Sequence, residues 1–483
     1  MKRAWLALVA LGGCAVGPDF HTPAPPSANA YTAAPLAPGF AEGADIPGEW
    51  WTLFHSKPLD DLIERALRAN PDLAAAQAAL GVARESALAQ RGAYFPSVDA
   101  NVSVSRSKTS SQISPTPSSG ESIFSLYAPQ LTVSYAPDVF GLTRRTVEAA
   151  DAQVEEQRFA WVAADLTLTS NVALGAIQEA QLRAQIDATH ELVAINTDML
   201  RALEHQFVKG YVGRLDVAAQ QSQLAQVQAT LPPLLKRLAQ QRDLLTALSG
   251  GFPNDPLPEQ SALASLELPA ELPVSVPSRL VEQRPDVRQA EESLHAASAK
   301  VGIAVANRLP NFTLSADVGT MALTAATVFA SGAGAWALAA NVSQPIFHGG
   351  ALLHDERAAR AALDQASEQY RSTVVGALQN VADALQALQQ DGDALSAASA
   401  AKDAAALTLN LSTRQFRAGY AGYLAVLSAE QTYQQAILNL VQAQADRYGD
   451  TVALFQALGG GWWNREDRDP PKYYPYFYLN LRE

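Results

Sequence analysis

The sequence predicts an α+β membrane protein built as two duplicated halves. Four strands per chain would have to be pooled by several chains to close a membrane β-barrel, three chains giving a trimeric twelve-stranded one, with a long α-helical barrel continuing it. Three observations lead there. Landmarks of the first half return in order in the second, short segments alternate apolar and polar residues at strand spacing, and two helix-forming stretches are far longer than a globular domain uses.

The duplication sets the frame. Asn70-Pro71-Asp72 is answered by Arg284-Pro285-Asp286, and Tyr94-Phe95-Pro96-Ser97 by Arg308-Leu309-Pro310-Asn311. Phe207, Gly210, Tyr211, Gly213 and Leu215 return as Phe416, Gly419, Tyr420, Gly422 and Leu424, each about 210 residues further on. A period of that size marks a duplicated half-protein, because a solenoid unit spans roughly 20–50 residues. The first repeat occupies 56–250 and the second 279–461, joined by a Pro-rich linker over 251–278.

The chain opens with Met1-Lys2-Arg3, a short apolar run over 4–11 and Gly12-Gly13-Cys14, which reads as a secretory signal over 1–13. Its apolar core is too short for a bilayer, which takes about 20 residues. Cys14 is the only cysteine, so no intramolecular disulfide is available to explain it. Its place directly after Leu11-Gly12-Gly13 resembles a bacterial lipobox, which implies acylation of Cys14 as the first mature residue. Ala15 in place of an aspartate favours outer-membrane retention by the same resemblance. Residues 14–55 read as a lipid-anchored extended segment, rich in Pro, Ala and Gly over 18–48. The 35 Lys and Arg against 48 Asp and Glu give a net charge of −13, which excludes the basic footprint a nucleic-acid partner requires.

Two hairpins follow from period-two patterning, at about 97–137 and 311–345. Val98, Ala100, Val102 and Val104 alternate with Asp99, Asn101 and Ser103; Leu131, Val133 and Tyr135 alternate with Gln130, Thr132 and Ser134. In the second repeat Phe312, Leu314, Ala316 and Val318 face away from Thr313, Ser315 and Asp317, and Trp336, Leu338 and Val342 continue the pattern. One greasy and one wet face per strand suits a barrel with a watery lumen, but four strands cannot close one, since the smallest need about eight. Pooling by several chains resolves this. The uncharged stretch 318–347 reads as strand, loop, strand rather than a spanning helix, because it is heavy in Thr, Ser, Gly and Ala.

Each hairpin leads through a glycine-bearing turn into a stretch almost free of helix breakers, about 143–208 and 351–418. At 1.5 Å per residue each would be about 100 Å long. Abundant Ala and Gln with thinly spaced Leu, Val and Ile suits closely packed helices with one face on water. The chain reverses at Gly210 to Gly213 and at Gly419 to Gly422, and return helices run over 215–248 and 423–458. Pro232-Pro233 predicts a kink or break in the first of these.

These features together resemble the TolC-like outer-membrane efflux proteins, specifically the NodT-like lipoprotein branch. The resemblance rests on Cys14 to Phe20, the paired Pro-Asp helix starts, the duplicated hairpins, the glycine-bearing tips and the closing Leu458-Gly459-Gly460-Gly461-Trp462. It implies a homotrimer with an equatorial belt formed by the linker and chain ends. It also implies a passive exit duct in the outer membrane and periplasm, fed by a periplasmic adaptor and an inner-membrane transporter, commonly of the resistance-nodulation-division class. No cofactor is implied. The tips, Gly210, Tyr211, Gly213, Leu215, Gly419, Tyr420, Gly422 and Leu424, would be the adaptor-docking end. Relatives carry a ring of carboxylates after the second tip, but here those positions are Ala425 and Ser428. The sequence therefore leaves open an acidic entrance or a constriction built from Asp216, Tyr423, Ser428 or Glu430. For Asp216 the plainer reading is a helix-start residue favoured by the macrodipole.

Nothing in the sequence assembles an enzyme or a metal site. His190-Glu191 has no second histidine at helical spacing, and Asp391-Gly392-Asp393 lacks the rest of a calcium loop. Alternatives to an efflux duct are a lipid-anchored periplasmic coiled-coil scaffold, or a duct for protein secretion or metal efflux. The tail over 462–483, with Pro470-Pro471 and a Tyr-rich run, extends past the resemblance and has no functional reading.

Overall fold

A computed structural model describes residues 15–28, 30–33, 35, 39–108, 123–258, 262–269 and 271–465. Cys14 and residues 466–483 lie outside the described residues. The chain forms two compact units, one of 15–23, Gly81–Glu156 and Ala290–Tyr370, the other of Ala24–Leu80, Gln157–Gln289 and Arg371 onward.

The first unit holds the strands. Alternation produces β2 (Ser97–Lys108), β3 (Ile123–Tyr135), β5 (Asn311–Thr320) and β6 (Gly334–Ser343), while the short β1 (Phe40–Glu42) and β4 (Leu272–Val274) belong to the second unit. They form one antiparallel sheet in the order β2-β3-β5-β6. Register keeps like with like. Val98 lies opposite Val133, Val133 opposite Ala316 and Ala316 opposite Leu338, so one apolar row crosses the sheet. On the other face Thr132 lies opposite both Asp99 and Asp317, and its hydroxyl donates to the Asp317 carboxylate at 2.6 Å.

The apolar row is exposed at Val98, Val102, Val104, Leu131, Val318, Trp336, Leu338 and Val342. The edge strands β2 and β6 have no second partner among the described residues. Two open edges of 12 and 10 residues beside a bare apolar face would promote aggregation in water.

In the second unit, β1 (Phe40–Glu42) pairs in parallel with β4 (Leu272–Val274), bringing the N-terminal segment onto the linker. Helix α1 (Lys57–Ala69) starts at Ser56, whose hydroxyl accepts the Leu59 N–H at 3.4 Å, with a proline in its first turn. Trp50 stacks on Phe455, the Trp462 indole donates to the Gln283 carbonyl at 2.7 Å, and the Asn464 amide to Ile46 at 2.7 Å. The N-terminal segment, the linker and the chain's last described residues thus share one apolar core.

Asn70 and Arg284 close each repeat on its own start. The Asn70 amide donates to the Leu248 carbonyl at 3.0 Å while its oxygen caps helix α2 (Pro71–Arg91). Arg284 donates to the Ala457 carbonyl at 2.9 Å and forks onto Asp286 at the start of α6 (Pro285–Ala306), just after the short α5 (Pro277–Gln283).

The long helices α3 (Leu142–Val208) and α7 (Ala351–Arg417) have 67 residues each, and the returning helices α4 (Arg214–Leu248) and α8 (Tyr423–Ala457) 35 each. The expected break at Pro232-Pro233 does not occur: α4 is continuous through both prolines. Gln228 and Ala229, whose carbonyls lose their helical donors, are exposed residues, and at an exposed site that loss costs less than in a buried helix. Helix α3 contains a window apolar enough to cross a membrane, but 56% of that window is buried within the chain, as in a core helix.

Candidate functional site

Two places concentrate the candidate residues. The first follows Cys14. Arg145, near the start of α3 and almost fully buried, donates to the Val16 carbonyl at 3.1 Å and the Gly17 carbonyl at 3.4 Å, and pairs with Asp19 at 2.6 Å and Glu148 at 2.8 Å. Gly17 passes so close to Gly302 that a Cβ there would overlap the α6 backbone. Phe20 stacks on the His295 ring at 4.3 Å, and that ring's nitrogens lie 3.2 Å from Glu148 and 3.3 Å from Glu292. The residues that leave Cys14 are therefore fastened to the same unit that carries the strands.

The second place is the pair of tips. In each repeat the long helix ends in a Schellman motif: the N–H groups of Tyr211 and Tyr420 donate to Gln206 and Gln415, and those of Gly210 and Gly419 to Phe207 and Phe416. Gly210 and Gly419 sit at φ +76° and +77°, where a side chain would be strained. The second glycine of each motif is different. Gly213 and Gly422 cap α4 and α8 in extended backbone that any residue adopts. Tyr211, Leu215, Tyr420 and Leu424 are at least 71% exposed, so both tips present apolar side chains outward.

Asp216 is engaged in the helix start. Its carboxylate accepts the Gly213 N–H at 3.1 Å, and its own N–H donates to the Gly213 carbonyl at 3.2 Å. The second repeat has only the backbone half of this cap, from Ala425 to Gly422 at 3.1 Å. Ala425 and Ser428 are both exposed, so the positions that lack acids do face out of the chain.

Tyr423 points inward. It is buried against Met199, Leu203 and Val426, with Phe416 edge-on at 6.1 Å, and its hydroxyl donates to the Gln220 side-chain oxygen. The Gln220 amide in turn donates to the Asn196 carbonyl and side-chain oxygens, both at 3.0 Å. About two turns further along α8, Gln431 donates to Gln223 at 3.0 Å. Asn196, Gln220 and Gln223 had no place among the sequence candidates. The only signal for them was polar residues at apolar positions of the packed helix faces, which is visible once the partner helices are known. Burial, the nearby Glu430 and Asp216 all raise the Tyr423 pKa above its ordinary value.

The model of the outer membrane efflux protein family matches residues 62–251 and 276–460. Among curated proteins, the solvent efflux pump outer membrane protein SrpC of Pseudomonas putida is 30% identical over 94% of this chain and 97% of its own length. The toluene efflux pump outer membrane protein TtgC of Pseudomonas putida is 30% identical over 94% of each chain. The pyoverdine export outer membrane protein OpmQ of the same species is 30% identical over 91% of this chain and 94% of its own. Among solved structures, the outer-membrane channel OprN superposes with a TM-score of 0.86 at 26% identity, over 93% of this chain and 100% of its own. The open state of the Neisseria gonorrhoeae MtrE outer membrane channel gives 0.83 at 26% identity, over 93% and 98%.

Proposed function

The chain belongs to the outer membrane efflux protein family, and on that premise we propose that three copies form the exit duct of a tripartite efflux system. One observation supports this most directly: a four-stranded sheet with two open edges and an exposed apolar face. Lipid satisfies the apolar face, and a neighbouring copy satisfies each edge, which gives twelve strands and no free edge. Strands of 10 to 13 residues match the roughly 9–11 that a tilted membrane strand needs. The exposed apolar tips are the surface offered to a periplasmic adaptor, which links the duct to an inner-membrane transporter. Docking of Ala15 to Phe20 through Arg145 and His295 would hold an acylated Cys14 beside the strand-bearing unit.

Cargo is selected elsewhere. Relatives named for solvents, toluene and pyoverdine stand at the same 30% identity to this chain, which fits a duct that passes what its transporter delivers. Deleting both hairpins, 97–135 and 311–343, tests the reading. A duct loses outer-membrane insertion and export; a scaffold keeps its trimer and its partners, and that result would reverse the proposal.

A further inference from the structure

Glu430 is a buried carboxylate that the duct reading leaves without a task; the still more enclosed Glu179 is paired with Arg183 and Arg242. Its side chain is 2% exposed, and neither carboxyl oxygen reaches a hydrogen-bond partner. It lies on α8 between Tyr423 and Gln431, two of the residues through which the second hairpin bonds to the first. Tyr423 packs with Met199 of α3, Val217 of α4 and Leu409 and Phe416 of α7, Gln220 and Gln223 of α4 bond Tyr423 and Gln431, and Gln220 also lies beside the Glu430 carboxyl. Charged and titratable groups are sparse here. Tyr423 of α8 lies beside it, Asp216 of α4 bears on that same Tyr423, and His205, Lys209 and Arg417 line the groove at the tip. Among the described residues no cation bears on the carboxyl.

We propose that Glu430 is a proton-operated latch between the two helical hairpins: neutral, it packs as part of their shared core; ionised, it loosens the contact made by Tyr423-Gln220 and Gln431-Gln223. The physical reason is desolvation. An ionised carboxylate buried without hydrogen bonds or a counter-ion is strongly disfavoured, whereas the neutral acid fits and can donate. Burial accordingly pushes the Glu430 pKa up to about 7, opposed only by the neighbouring Gln220 amide. Because the folded value lies above that of an exposed carboxylate, the latch is fully closed in acid and weakens as the pH rises through about 7. What the latch does to flow rests on the tips being the duct's entrance; the latch itself does not.

Hydrogen–deuterium exchange on the full-length trimer tests it, read at residues 216–223 and 423–432 and corrected for the intrinsic pH dependence of exchange. Between pH 6 and pH 8 the opening of these segments should rise roughly tenfold in the wild type, the ratio that linkage gives for a carboxyl moved from its ordinary value to about 7. In Glu430→Gln, which is neutral at every pH, it should stay flat. A corrected wild-type profile that is flat overturns the latch and needs no variant to be interpreted; so does a Glu430→Gln profile that rises like the wild type. Bilayer conductance reports separately on the duct. An exchange step in a protein that does not conduct would sink the duct reading and leave the latch standing.

Discussion

Asp216 and Ala425 occupy the same place in the two repeats, and the difference between them is a capping carboxylate. Asp216→Ala should destabilise the start of α4 by about 1 kcal/mol, read as earlier exchange of residues 214–217, because it removes the acceptor of the Gly213 N–H. The converse change is informative too. Ala425→Asp should strengthen the start of α8 by a few tenths of a kcal/mol up to about 1, because that helix has only the backbone half of the cap. Together with Ser428→Asp it would place acids at two exposed positions, and single-channel recordings should then show stronger block by divalent cations. Asp216 as a helix-start residue was legible in the sequence, since an acid in the first turn has a simple electrostatic reason to be there. Tyr423 was not. A tyrosine after a glycine says nothing about which way it faces, and only the partners Gln220 and Asn196, remote in sequence, turn it inward.

At the scale of elements, alternation located the sheet because each strand has one face for each environment, and that pattern survives without knowledge of the neighbours. Pro232-Pro233 misled because a rule about helix interiors takes no account of exposure, and here Gln228 and Ala229 are exposed. The lost bonds still have a cost. Pro233→Ala should raise the melting temperature of the trimer, since the helix regains an N–H donor for Ala229 at an exposed site where nothing else changes. Helices α7 and α8 carry a second titratable contact. Burial, and then Asp450 facing it, push the Asp391 pKa up to about 6. Stability from this contact is therefore present in acid and is lost as pH rises through about 6. Asp391→Asn should raise the melting temperature at pH 8 and leave it nearly unchanged only near pH 3, below the ordinary aspartate value of 3.8.

For the whole molecule, the duplication was legible because both repeats keep the same landmarks, and the matched pairs of 67- and 35-residue helices are its structural expression. The arrangement around Arg145 was hidden, because a single arginine bonded to residues more than a hundred positions earlier leaves no local pattern. Arg145→Lys keeps the charge but loses the planar fork that reaches Val16, Gly17 and Asp19 together. It should make residues 15–23 sensitive to protease while conduction persists. The central claim is that three chains pool their strands around a water-filled passage. Single-channel conductance of the purified protein in planar bilayers tests it most directly, with both tips loosened if the entrance is shut. Discrete ohmic steps from a trimer are the expected result. A trimer that inserts no conductance even with loosened tips would contradict the account and leave a lipid-anchored scaffold in its place.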